Sequence, residues 1–209
     1  VLPRKNPFGP EAVQTGPQET NSPVFASLIE AMGKKAHQNQ VILDLGPARA
    51  ANLELLSRFR CKLFMENAPE LVEHLTGDSK ADKAAMEQWL AQWTAGSGGE
   101  SIDVVLAWDV LNYFKPELFT SFINHVTPLL RAGAYLYFLV YSQKQMPALP
   151  MQFKTAAPDR LACQPLTAET RPSPRYTQTD LRRRLPGYSV VKSVLLRNGI
   201  QEYLLNRTA

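Results

Sequence analysis

A doubly wound α/β domain, its mostly parallel sheet closed by a C-terminal antiparallel hairpin, is the fold class predicted here, on three observations. Short apolar runs alternate with helical stripes from residue 24 to residue 141, a pattern that implies a parallel sheet with helices on both faces. The pair Asn198-Gly199 then separates two strand-like runs, and an Asn-Gly pair in that setting is the strongest short-range hairpin signal. With 209 residues, 44% of them hydrophobic, the chain can bury a full core without disulfide staples or a structural metal.

Each element has its own signal. Ser22-Pro23 offers an N-cap and a proline at the first helical position. Val24, Phe25, Leu28, Ile29 and Met32 follow as a helical stripe that Gly33 stops. Residues 41–45 form a continuous apolar run with one acid, as a strand buried on both faces reads. A helix is expected over 50–59, a second strand over 62–65 and a short helix over 69–75. One amphipathic helix, 81–93, stands where a further strand would be expected. Residues 102–107 read as a buried strand, 116–126 as a helix and 134–141 as a strand rich in aromatic and branched residues. Thr177 to Asp180 matches a capping box opening a helix to Leu185, and the hairpin runs over 188–196 and 200–206.

Proline and charge mark what lies outside this alternation. Eleven of the sixteen prolines fall in residues 1–23 and 147–174. The first stretch is expected to be an extended arm. The second belongs to an irregular insertion over about 143–176, a mobile cover or a surface for a protein partner. Residues 143–184 hold eight basic and three acidic side chains, more than the whole chain's net +4. Their arginines lack interleaved aromatics apart from Tyr176, and a charge run is commonly a solvated helix face, so nucleic acid is not the expected partner.

The longest apolar stretch, 132–141, is far short of the ~20 residues of a membrane span. With no signal core either, a cytoplasmic location is expected. Cys61 and Cys163 fit a reducing compartment. His37, His74 and His125 lie apart from one another, so no metal site is expected.

In an open α/β sheet, ligands bind beyond the carboxyl ends of the strands. Asp44 ends the first strand and leads into Leu45-Gly46-Pro47-Ala48-Arg49-Ala50. Glu66 follows 22 residues later at the end of the second strand, the interval at which an acid bonds ribose hydroxyls in nucleotide-binding sheets. These segments resemble the class I S-adenosylmethionine-dependent methyltransferases. Val-Ile-Leu-Asp-Leu-Gly at 41–46 looks like that family's first motif, and Leu-Phe-Met-Glu at 63–66 is similar to its second. Residues 102–114 resemble the fourth-strand motif, 129–134 the turn into the fifth strand, and 177–206 the closing helix and hairpin.

The resemblance implies S-adenosylmethionine as cofactor and a small-molecule or protein acceptor. It implies cofactor contacts at Asp44, Gly46, Ala48, Glu66, Trp108 and Asp109; no catalytic residue follows from it. Ala48 and Ala50 replace the family's second and third loop glycines, and their Cβ atoms are expected to crowd the cofactor. Asp78 is the nearest candidate for an adenine contact, against an ordinary turn aspartate. Two readings therefore stand side by side: a methyltransferase, and a methyltransferase-like scaffold acting through protein contacts.

Overall fold

The computed structural model describes residues 17–97 and 99–208, so most of the arm, residues 1–16, lies outside the described residues. In chain order, β1 (Gln18–Asn21) leads through α1 (Pro23–Lys34) to β2 (Gln40–Asp44) and α2 (Ala50–Leu56). Then come β3 (Cys61–Met65), α3 (Ala68–Glu73), α4 (Ser79–Ser97), β4 (Ile102–Trp108), α5 (Pro116–Val126) and β5 (Leu130–Tyr141). The insertion supplies β6 (Gln145–Pro147), β7 (Gln152–Ala157), β8 (Arg160–Gln164) and β9 (Thr170–Pro172). The chain closes with α6 (Gln178–Arg184), β10 (Tyr188–Leu195) and β11 (Ile200–Arg207).

The main sheet has the order β10-β11-β5-β4-β2-β3. Its strands from β3 to β5 are parallel, and β11 lies antiparallel between β5 and β10. A parallel core closed by an antiparallel hairpin is the architecture that the sequence predicts. Among the described residues the sheet stops at β3, and the chain between β3 and β4 is helical, with α4 packed against α3 and α5. β2 is buried along its whole length, as its unbroken apolar run requires. At the hairpin turn, Gly199 N–H bonds Leu196 C=O at 3.0 Å, and Gly199 alone of the Asn-Gly pair takes a positive φ, 79°. The loop is therefore a three-residue turn with a glycine bulge. The capping box forms as expected, with Thr177 and Asp180 each bonding the other's backbone N–H.

The insertion departs from expectation. It is not an irregular loop: β7 and β8 pair antiparallel, and β1 adds to the far side of β8, giving a second sheet of order β1-β8-β7. The arm's visible end is thus a strand. Met151, Phe153, Leu161 and Cys163 are buried and continuous with the main core. Prolines flank these strands without interrupting them: Pro150 precedes β7, Pro158 sits in the β7–β8 turn and Pro165 follows β8. The overlooked signal was period-two alternation, Met151-x-Phe153 and Leu161-x-Cys163.

Candidate functional site at the strand ends

The parallel strands deliver three of the expected residues to one place. Asp44 is the last residue of β2, wholly buried. Its Oδ1 accepts from Gly46 N–H at 2.8 Å and from Trp108 Nε1 at 2.5 Å. Its Oδ2 has no partner among the described residues. Burial raises its pKa to about 6, and the bonds from Trp108 and Gly46 oppose the rise. Gly46 is required by close packing: an added Cβ would lie 2.8 Å from Trp108 Nε1 and 3.1 Å from Asp44 Oδ1.

β4 ends on Trp108 with φ at 46°. A bulky residue in that region is strained by of order 1–3 kcal/mol, and such strain concentrates at functional sites. The indole stacks on Phe153 at 5.4 Å with an interplanar angle of 7°, and meets Tyr137 edge-on. The next residue, Asp109, is buried too. Its Oδ2 accepts from Tyr141 Oη at 2.7 Å and from Met151 N–H at 3.0 Å, while Oδ1 has no partner among the described residues. Burial pushes its pKa to about 7 against the pull of those two donors. Asn112 fixes the backbone here, donating to Asp109 C=O and Leu139 C=O and accepting from Tyr141 N–H.

Glu66 extends one residue beyond the Asp44–Met65 pairing of β2 and β3, so the topology sets it beside Asp44. It is half-buried, and burial alone raises its pKa. Ala48 stands apart from this group. Both Ala48 and Ala50 are exposed, and the side chains that fill the space beside Gly46 are Trp108, Met151 and Phe153. Asp78 also lies elsewhere: it accepts from Lys80 N–H and Ala81 N–H and so caps the start of α4.

The space above the strand ends is nearly filled. A cavity of about 10 Å³ lies among Gly46, Trp108, Asp109, Met151 and Phe153, room for about one water. Its roof is the insertion, which sequence reasoning did not place here. Three anchors hold that roof. Tyr113 Oη bonds Pro147 C=O and Leu149 C=O, Asp109 holds Met151 N–H, and Asn52 of α2 holds Phe153 and Thr155.

Burial pushes the Cys163 thiol, on β8, up to about 11 and also raises that of Cys61. No cluster of metal-binding side chains occurs among the described residues, and none of their helices is long and apolar enough to cross a membrane. Two of the insertion-side arginines stack on rings, Arg171 over Tyr113 and Arg184 over Tyr176.

No protein-family model and no curated protein matches the chain. Among solved structures it is similar to a 1,6-didemethyltoxoflavin-N1-methyltransferase from Burkholderia thailandensis, at 14% identity over 90% of this chain and 80% of that one, TM-score 0.45. It is similar to magnesium protoporphyrin IX methyltransferase from Synechocystis, at 14% identity over 88% and 78%, TM-score 0.49. It is also similar to the N-methyltransferase NodS from Bradyrhizobium japonicum, at 12% identity over 88% and 86%, TM-score 0.49. The Synechocystis structure holds S-adenosylmethionine, and the other two hold S-adenosylhomocysteine.

Proposed function

We propose that this chain is an S-adenosylmethionine-dependent methyltransferase for a small-molecule acceptor, with its ligand cleft closed in this state by its own insertion. The observation that carries the reading is a pair of buried strand-end carboxylates, Asp44 and Asp109, each keeping one oxygen without a partner. A buried polar atom left unpaired is costly, and ligand sites are where folded chains retain that cost. The strained φ of Trp108 between them supports the same assignment.

The acceptors suit the cofactor better than the space does. Asp44 and Glu66 are the acids placed to accept from its hydroxyl and amino groups, and Gly46 lets the backbone come close. The volume is taken by Phe153 and Met151, side chains of the cover and not of the sheet. When bound, S-adenosylmethionine supplies a methyl group activated by its positive sulfur. Asp109, whose pKa stands at about 7, can hold a proton at Oδ1 beside the cavity. Tyr141 and Met151 fix its other oxygen, and a group so poised suits proton transfer near neutrality. A small acceptor suits a cleft that Met151 and Phe153 of the cover line.

The Trp108–Phe153 stack favours one competing reading, a scaffold that has lost its cofactor and acts through protein contacts. Calorimetric titration separates the two. Phe153→Ala should bind S-adenosylmethionine and S-adenosylhomocysteine at least tenfold more tightly than the unaltered protein. If neither ligand binds the folded variant, the methyltransferase reading falls and the scaffold remains.

A further inference from the structure

We infer that Asn52 is the latch holding the insertion over the cleft, a positioning residue that regulates ligand entry; the inference rests on the methyltransferase reading. Asn52 lies in the first turn of α2, just after the loop that follows Gly46, and is buried. Its Nδ2 donates to Phe153 C=O at 3.2 Å, and its Oδ1 accepts from Thr155 N–H at 2.9 Å. Thr155 Oγ1 adds a bond to Ala51 C=O at 2.8 Å. One side-chain amide thus serves two backbone groups of β7, one acceptor and one donor, as a neighbouring strand would. β7 needs that service, because β8 covers one of its edges and the other is the free edge of the small sheet. Unpaired backbone groups withdrawn from water are costly, so the Asn52 amide, backed by the Thr155 hydroxyl on Ala51, favours the edge lying down on α2.

The placement couples the latch to the cleft. Phe153, whose carbonyl Asn52 holds, carries the ring that stacks on Trp108. The insertion's entry is tied separately, through Tyr113 to Pro147 and Leu149. Releasing Asn52 therefore loosens the ring-bearing strand while the preceding segment stays anchored through Tyr113 and Asp109. Apparent affinity is the intrinsic affinity scaled by the fraction of molecules that are open, so weakening the latch tightens ligand binding although Asn52 need not touch the ligand.

The test uses Asn52→Leu, with Thr155→Val as a milder variant that removes only the Ala51 bond. Amide hydrogen exchange and titration with S-adenosylhomocysteine are the readouts. In Asn52→Leu the Thr155 amide should exchange at least tenfold faster while Leu139 in β5 keeps its protection. Affinity should rise about three- to thirtyfold, with Thr155→Val between it and the unaltered chain. Unchanged exchange at Thr155 overturns the latch. Faster exchange without tighter binding, in a series where Phe153→Ala does bind, also overturns it and leaves the methyltransferase reading standing. No binding by any variant, Phe153→Ala included, overturns both.

Discussion

Glu202 and Asp109 are both withdrawn from water, yet their oxygens are treated differently. Glu202 Oε1 accepts from Ser22 Oγ and Tyr137 Oη, and Oε2 from Val24 N–H. The carboxylate of β11 thus caps α1, whose N-cap Ser22 makes no cap bond of its own, and ties that helix to two strands. Every oxygen has a partner. Asp109, like Asp44, has one oxygen fully engaged and the other bare. A satisfied buried acid is a structural peg. A half-satisfied one beside a cavity is the feature on which the proposed site rests.

The comparison breaks most readily at Glu202. Glu202→Ala strands the hydroxyls of Ser22 and Tyr137 and the N–H of Val24, at a cost of roughly 3–4 kcal/mol. Thermal unfolding should drop by about 10 °C. A loss under 2 °C would remove Glu202 from the peg class.

A smaller, pH-dependent effect is expected at Asp109. An aspartate ordinarily loses its proton near 3.8, but Asp109 in the folded chain keeps it to about 7. Between those values the folded state binds a proton that the unfolded chain has released. Stability therefore falls as pH rises from about 4 to about 7, and the full cost, roughly 2–4 kcal/mol, is present above that window. Asp109→Asn keeps an acceptor for Tyr141 and Met151 and cannot ionise. Its unfolding temperature should fall less between pH 5 and pH 8 than that of the unaltered protein; equal slopes would show Asp109 to be ionised throughout.

The smallest effect is expected at the loop alanines. Ala48→Gly with Ala50→Gly removes methyl groups that point to solvent, so ligand affinity should stay within about twofold, below ~0.4 kcal/mol. A tenfold gain would return the obstruction to the loop.

These differences show what a sequence displays and what it hides. Asp44 and Asp109 were legible because each closes an unbroken apolar run, and the end of such a run in a parallel sheet is where ligands sit. The capping box at Thr177, the α5 stripe and the Asn198-Gly199 turn were legible because their signals are local. The roof was not. Phe153 meets Trp108 across 45 residues of chain, and Asn52 meets Thr155 across 103. Spacing carries no trace of either contact. Prolines between the short strands also masked the period-two alternation that would have shown β7 and β8. Glu202 was missed for the same reason, since its helix is 178 residues away in the chain.

The most direct test of the central claim is a crystal structure of Phe153→Ala with S-adenosylhomocysteine. The account predicts the ligand at the strand ends, against Gly46 and Glu66, with a formerly bare oxygen of Asp44 or Asp109 now bonded. A folded variant with the ligand bound elsewhere, or with both oxygens still unpartnered beside it, would contradict the claim.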